Sequence, residues 1–475
     1  MITATRAGTA PVARESRWLL PTILMATFMI ALDTFIVNVA IPSLQRNLHA
    51  SPAEITWVVA GFGITLAVGL TPAGRLGDRH GRRRMFALGL AVFVIASAAC
   101  GLAPDAVTLI AARLVQGAGG ALMGTQVLAL LRAQFSGAAQ AKAFAMYGLT
   151  LGIGGVLGQL IGGLLIRADL FGLDWRTCFL INVPVGVAAL ALVPRVVPES
   201  RAAQRPGMDN AGTLLLTAAL VALIVPLIQG RSAGWPLWTW LSLTGSAVLF
   251  VVFGAHQHRL GNRGAQPVVA TVLFRDRGFT LGVSTQFLLG LVQASYFLVL
   301  ALYLQYGRGL SPLASGLVVC TLGAGYLATS MQGHRIEARL GRQAIGLGAL
   351  VMVAGVVLTW AAVGQVGAVG GFGRTLWLVP GMVIQGAGMG MVITSISSRV
   401  LRAVEPRYIG SAAGVLATIL QVGGAVGVAL IGVVFFGAVT GGYPHAFQVS
   451  LVALGGAQLL LAALAQFLPR NAKAR

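Results

Sequence analysis

Trp18-Leu-Leu-Pro-Thr-Ile-Leu-Met-Ala-Thr-Phe-Met-Ile-Ala-Leu-Asp33-Thr-Phe-Ile-Val-Asn38-Val-Ala-Ile-Pro42 is a run of 25 residues, almost all apolar, with one acid set inside it. About 20 apolar residues cross the hydrocarbon core of a bilayer, so the run is long enough to span. Of the twelve acidic residues, Asp33 alone lies inside such a run; the others fall in, or at the edges of, polar breaks. A carboxylate at membrane depth costs about 2.5–3.5 kcal/mol on insertion scales and marks an ion or proton path.

The rest of the chain repeats the pattern. It is 57% hydrophobic and 9% charged, with a mean hydropathy of +0.85, whereas soluble domains carry about 25% charge. The expectation is a polytopic membrane protein embedded in the lipid bilayer. A net charge of +21 would suit nucleic acid, but the basic residues sit in short clusters between apolar runs, which reads as topology and not as a phosphate-binding face. Cys100, Cys178 and Cys320 are far apart without metal spacing, and read as packing residues. All six histidines fall in loops or at span ends. No metal site and no cofactor is expected. The first run is too long and too acidic for a cleavable signal and reads as a retained helix.

Fourteen apolar segments are predicted, at 18–42, 55–73, 85–103, 106–131, 143–166, 177–194, 210–229, 236–255, 279–304, 312–332, 343–364, 375–398, 409–438 and 446–468. With an even count both ends share a side, and that side holds 26 of the 33 basic residues. The inside-positive bias then puts both termini in the cytoplasm. Gln116-Gly117-Ala118-Gly119 recurs as Gln385-Gly386-Ala387-Gly388, and Gly154-Gly155-x-x-Gly158 recurs at the same offset as Gly423-Gly424-x-x-Gly427. A duplicated six-helix unit with two helices between the copies accounts for the count. The predicted division is 1–200 for one bundle, 201–270 for the extra pair and 271–475 for the second bundle. The fold class is all-α, and parallel repeats of this kind place the substrate site between the halves.

Arg113 is the one basic residue inside a span. Asp33 lies about 22 Å from the cytoplasmic end of its helix, and Arg113 about 10 Å from the outer end of the fourth, at 1.5 Å per residue. Both fall in the outer half of a core about 30 Å thick. Unlike charges at one depth relieve each other's burial cost. The pair is either a permanent bridge between helices or a switch in which protonation of Asp33 frees Arg113. Between the second and third segments, Gly74-Arg75-Leu76-Gly77-Asp78-Arg79-His80-Gly81-Arg82-Arg83-Arg84 reads either as a basic loop obeying the inside-positive bias or as a latch. Gly74, Gly77 and Gly81 permit tight turns and close approach. Asp78, beside Arg79 and Arg82, can make charge-assisted bonds to a helix end.

That loop resembles the Gly-x-Leu-x-Asp-Arg-x-Gly-Arg-Lys/Arg signature of the major facilitator superfamily. Leu32-Asp33-Thr34-x-x-x-Asn38-Val39-Ala40-Ile41-Pro42 is similar to the first-helix motif of its fourteen-helix drug:proton antiporter branch. Arg113-Leu-Val-Gln116-Gly117-Ala-Gly119 resembles the proton-linked fourth-helix motif, and Trp175-Arg176-x-x-Phe179-x-Ile181-Asn182-Val183-Pro184-Val185-Gly186 the start of that branch's sixth helix. The resemblance implies an outward transporter driven by protons, with Asp33 and Arg113 in coupling and Asp78 in gating. One motif departs: the fifth-helix pattern has Pro where this chain has Gln159, in Gly158-Gln159-Leu160-Ile161-Gly162-Gly163. Gln159 faces the cavity or hydrogen-bonds a neighbouring helix.

Asn38, Gln116, Gln126, Gln159, Gln286, Gln293, Tyr296, Gln385 and Gln421 are the candidate cavity residues, each weighed against a role as helix-to-helix glue. The second half has no embedded acid, so neutral, zwitterionic or anionic amphiphiles suit the cavity better than dications. The function expected is proton-coupled, multidrug-type efflux of small amphiphilic molecules across the cytoplasmic membrane, with antibiotic resistance as its consequence. The alternatives are a dedicated exporter of one endogenous metabolite and a proton-coupled uptake symporter. No nucleophile–base pair or phosphate loop points to an enzyme.

Overall fold

The computed structural model describes residues 17–201, 209–230, 233–263, 267–269, 271–366, 372–402, 404 and 409–469. Among these, fourteen helices are long and apolar enough to cross a membrane, and there is no strand. They are α1 (Leu19–Leu48), α2 (Pro52–His80), α3 (Arg82–Gly101), α4 (Ala106–Gln134), α5 (Gly137–Ala168), α6 (Asp174–Val196), α7 (Asn210–Gln229), α8 (Leu237–Asn262), α9 (Arg277–Leu302), α10 (Pro312–Ser330), α11 (Gln343–Val366), α12 (Val379–Arg402), α13 (Ile409–Ala438) and α14 (Tyr443–Phe467). Arg6, Arg14, Arg205, Arg231, Arg407, Arg470, Lys473 and Arg475, part of the charge asymmetry, lie outside the described residues.

The acids at the polar breaks have a local task. Glu54 completes a capping box with Ser51, its Oε2 accepting from Ser51 N at 2.8 Å. Asp105 accepts from Thr108 N at 2.7 Å, Asp209 from Gly212 N at 2.7 Å and Asp276 from Phe279 N at 2.8 Å. Each satisfies an orphan amide where a helix begins. In lipid an unsatisfied amide is costly, so these side chains set where α2, α4, α7 and α9 start.

Packing follows the repeat. In the first bundle α1 lies against α5, α4 against both α2 and α3, and α3 against α6; in the second, α9 lies against α13, α12 against both α10 and α11, and α11 against α14. The recurring glycines explain it. A Cβ at Gly117 would stand 2.4 Å from the Phe62 carbonyl of α2, and one at Gly386 would stand 1.9 Å from the Leu322 carbonyl of α10. The same dipeptide spacing thus lets α4 and α12 touch backbone in both halves, the close approach by which membrane helices gain dispersion energy.

The bundles meet through α5 with α10 and α2 with α13, pairs that exchange under the repeat. The α7–α8 pair leans on this frame through α7, which packs against α13 and α2. Leu241, Val248 and Val251 stand exposed along α8, as an outer lipid-facing helix requires. The 74–84 stretch is less of a loop than its glycines suggest: α2 continues to His80, α3 starts at Arg82, and Gly81 alone turns the chain, at φ +109°.

Candidate functional site

Asp33 and Arg113 meet. Both are fully buried, and an Arg113 guanidinium nitrogen donates to Asp33 Oδ2. Asp33 Oδ1 accepts from Gln116 Nε2 at 2.8 Å and from Asn182 Nδ2 at 3.0 Å. Gln116 Nε2 also donates to Ser97 Oγ at 2.8 Å, while Gln116 Oε1 accepts from Arg113 at 2.7 Å. Arg113 Nε donates to the Val58 carbonyl at 3.0 Å, and its guanidinium lies 4.4 Å from the Phe62 ring centroid and 5.7 Å from that of Phe179. Side chains from α1, α3, α4 and α6 and a carbonyl of α2 therefore form one network around the Asp33–Arg113 pair. A buried pair is tolerated when further hydrogen bonds share its burden, and here Gln116, Asn182 and the Val58 carbonyl supply them.

Between the bundles lies a cavity of about 1230 Å³. Its lining includes Gly74, Asp78 and Arg132, so it opens on the face that carries the 74–84 motif. On the opposite face Gly163 of α5 sits against the Pro312 carbonyl of α10, and Tyr306 Oη donates to Gln45 Oε1. The cavity is shut there. Thr27, Ile30, Ala31, Thr34 and Phe35 of α1 line it, an i, i+3, i+4, i+7, i+8 stripe on one helical face. Asp33 points from another face of the same helix, away from the cavity.

Of the nine predicted cavity residues, Gln286, Gln293 and Gln421 line this space. The other six, Asn38, Gln116, Gln126, Gln159, Tyr296 and Gln385, are not among the residues that line it, and all are buried. Gln116 belongs to the Asp33 cluster. Gln126 donates to the Ala73 carbonyl at 2.8 Å, tying α4 to α2. Tyr296 is buried against Thr359. Asn38 and Gln385 are buried, with Asn38 Oδ1 and Gln385 Oε1 unpaired among the described residues. Gln159 is fully buried, is not among the residues lining this cavity, and its amide finds no partner among the described residues.

The sequence profile described as Major Facilitator Superfamily matches residues 23–428. The chain belongs to the major facilitator superfamily. It is 38% identical over 437 residues to a probable actinorhodin transporter of Streptomyces coelicolor, covering 91% of this chain and 74% of that one. It is 32% identical over 422 residues to a tetracenomycin C resistance and export protein of Streptomyces glaucescens, covering 87% and 75%. A D-xylose–proton symporter has the same fold at a TM-score of 0.67, with 15% identity over 96% of this chain and 98% of the other.

In this major facilitator chain the 74–84 motif holds helix ends together. Arg82 Nε and a terminal guanidinium nitrogen donate to Asp78 Oδ1 at 3.2 and 2.9 Å across the α2–α3 turn. Arg79 is exposed. Gly77 makes room for Gln126, whose Oε1 would be 1.9 Å from a Cβ there. Gly74 has nothing within 4 Å of such a Cβ, so the close approach expected of it is absent. Glu199, which the sequence reading passed over, fills the centre: its Oε1 accepts from Arg83 N at 3.1 Å, and its carboxylate lies 3.9 and 3.8 Å from the Arg83 and Arg84 side chains.

Ser97 and Asn182 were also missed. Asn182 stands within the sixth-helix motif, a polar residue in an apolar run, and that was the available signal. Beyond α2, one chain of contacts reaches the inserted helices. Asp209 at the start of α7 accepts from His256 Nε2 at 2.9 Å and Gln257 Nε2 at 2.7 Å on α8. Gln257 Oε1 in turn accepts from Val269 N at 3.0 Å, and Arg75 donates to the neighbouring Pro267 carbonyl. Pro267 and Val268 line the cavity mouth. Burial pushes the Asp209 carboxyl up, but the bonds from His256, Gln257 and Gly212 outweigh it and hold it below the ordinary carboxylate range.

Proposed function

We propose that this protein is a proton-coupled antiporter that exports hydrophobic or amphiphilic compounds across the cytoplasmic membrane by alternating access, a transporter and not an enzyme. Both termini lie in the cytoplasm, the bundles comprise 1–200 and 271–475, and 201–270 holds the inserted pair. The cavity then faces inward. The names of the two Streptomyces relatives, one a transporter and one a resistance and export protein, support the direction.

The observation that carries the reading is the placement of the ion pair. α1 presents Asp33 to Arg113 from one face and a cavity stripe from another, and α4 does the same with Arg113 and with Gly120, Gly124 and Arg132. Proton and cargo act on the same two rigid helices without sharing a space. Protonating Asp33 removes the charge that answers Arg113, and the helices regain a low-energy packing by shifting against each other. Asp78, Arg82 and Glu199 hold the α2–α3 turn as the gate. Everted vesicles with an imposed pH gradient, acidic inside, test the assignment. Accumulation of a hydrophobic dye, collapsing when the gradient is dissipated, is expected; accumulation only under the opposite gradient would make the protein an uptake symporter.

A further inference from the structure

Resting on that export reading, we propose that the cavity selects large amphiphiles without positive charge, neutral or anionic. It orients them with their carbonyl, hydroxyl or carboxylate edge on the second bundle, through Gln286, Gln293 and Gln421.

Charge argues first. Among the described lining residues Asp78 is the one acid, and it is bonded to Arg82. Arg75, Arg132 and Arg275 line the same space near its mouth. Asp33 is sealed off on the far side of α1. A cation entering would meet guanidinium groups and then an interior with no counter-charge, the costly case for a desolvated ion. An anion is drawn in by the same field.

The two walls differ. On the first bundle Thr34 Oγ1 donates to its own helix at the Ile30 carbonyl, 2.7 Å away, and Thr125 Oγ1 to the Ala121 carbonyl at 3.0 Å. With those two hydrogens spent, that wall above the mouth is mostly glycine, aliphatic and Phe35 atoms, with Tyr147 and the buried Thr27 as its other hydroxyl-bearing side chains. On the second bundle Gln286 and Gln293 stand seven residues apart on α9, two turns along one face. Gln421 of α13 joins them. Gln286 is 6% exposed and its Oε1 has no partner among the described residues. A carboxamide offers both donors and an acceptor. It therefore satisfies carbonyl, hydroxyl or carboxylate groups and cannot neutralise a cation. At about 1230 Å³ the space exceeds the usual drug-sized pocket of about 300–1000 Å³.

Two xanthene dyes of one skeleton and opposite charge test this, anionic fluorescein and cationic rhodamine 6G, in proteoliposomes under an imposed pH gradient. Fluorescein is expected to show about tenfold higher kcat/KM. Gln293→Leu and Gln421→Leu each raise its KM about tenfold, the worth of one net hydrogen bond, and leave rhodamine 6G unchanged. Gln421→Glu reverses the ranking, a gain that misfolding cannot produce. Rhodamine 6G moving as well as fluorescein in the wild type, or an unchanged ranking in Gln421→Glu, overturns the proposal and leaves export standing. Transport of neither dye overturns both.

Discussion

Asp33→Asn is the substitution that separates a proton switch from a structural bridge. The side chain keeps its shape and loses its charge. Asp33 Oδ1 serves Gln116 and Asn182, while Oδ2 serves Arg113. An asparagine can present its oxygen to only one of these sides. With oxygen toward the two amides, its NH₂ confronts the guanidinium; flipped, it confronts both amide donors. Arg113 then keeps only Gln116 Oε1 and the Val58 carbonyl, at 2.7 and 3.0 Å. Losing one charge-assisted bond costs about 1.5–3 kcal/mol, and breaking one partner out of a buried pair about 3–5 kcal/mol. A destabilisation of about 3 kcal/mol is the expectation between these ranges.

The assay is substrate-induced proton release from everted vesicles, read beside thermal stability of the solubilised protein. In Asp33→Asn, proton release should vanish and efflux should become insensitive to the gradient, with a lower melting temperature. Asp33→Asn combined with Arg113→Gln should recover stability without recovering coupling, since no lone charge stays buried. Full gradient-driven transport by the Asp33→Asn protein would refute the switch and leave a bridge. Recovery of coupling in the double variant would place the proton site elsewhere.

Gly117→Ala and Gly386→Ala should each cost about 1–3 kcal/mol through overpacking, because their Cβ atoms would meet backbone carbonyls at 2.4 and 1.9 Å; thermal melts check this. In the 74–84 motif Gly81→Ala, at φ +109° and against Glu199, should lower stability and transport, whereas Gly74→Ala, with nothing within 4 Å, should leave the melt unchanged. Gln257→Leu removes the acceptor of the Val269 amide, and hydrogen exchange at Val269 should accelerate at least about tenfold, the loss of a net bond. Because the Asp209 carboxyl titrates below its ordinary range, its ionised form stabilises the fold above the unfolded value of about 3.9. That contribution is lost as pH falls through the folded value, so melts of wild type and Asp209→Asn should differ at pH 6 and draw together as pH drops from about 4 to below the folded value.

Much of this was legible in the linear order of residues, and the reason is the solvent. Lipid leaves backbone groups no outside partner, so every run of spanning length must be a helix, and counting runs counts helices. The same solvent makes Asp33 and Arg113 costly alone, so two unlike charges at matched depth were expected to find each other, and they do. The recurring Gln-Gly-Ala-Gly exposed the duplication because glycine is needed wherever two backbones touch. What the order of residues could not say is which way each glutamine points. Helices that are apolar nearly all round carry no polar face to set their rotation, so Gln116, Gln126 and Gln421 look alike until neighbours are in place. Packing alone put Gln421 in the cavity, Gln126 on the Ala73 carbonyl and Gln116 beside Asp33. Glu199 and Asn182 were hidden for a related reason. Each lies more than a hundred residues from Arg83 or Asp33, the residue it bonds, and contacts over such separations exist only once the helices have closed on one another.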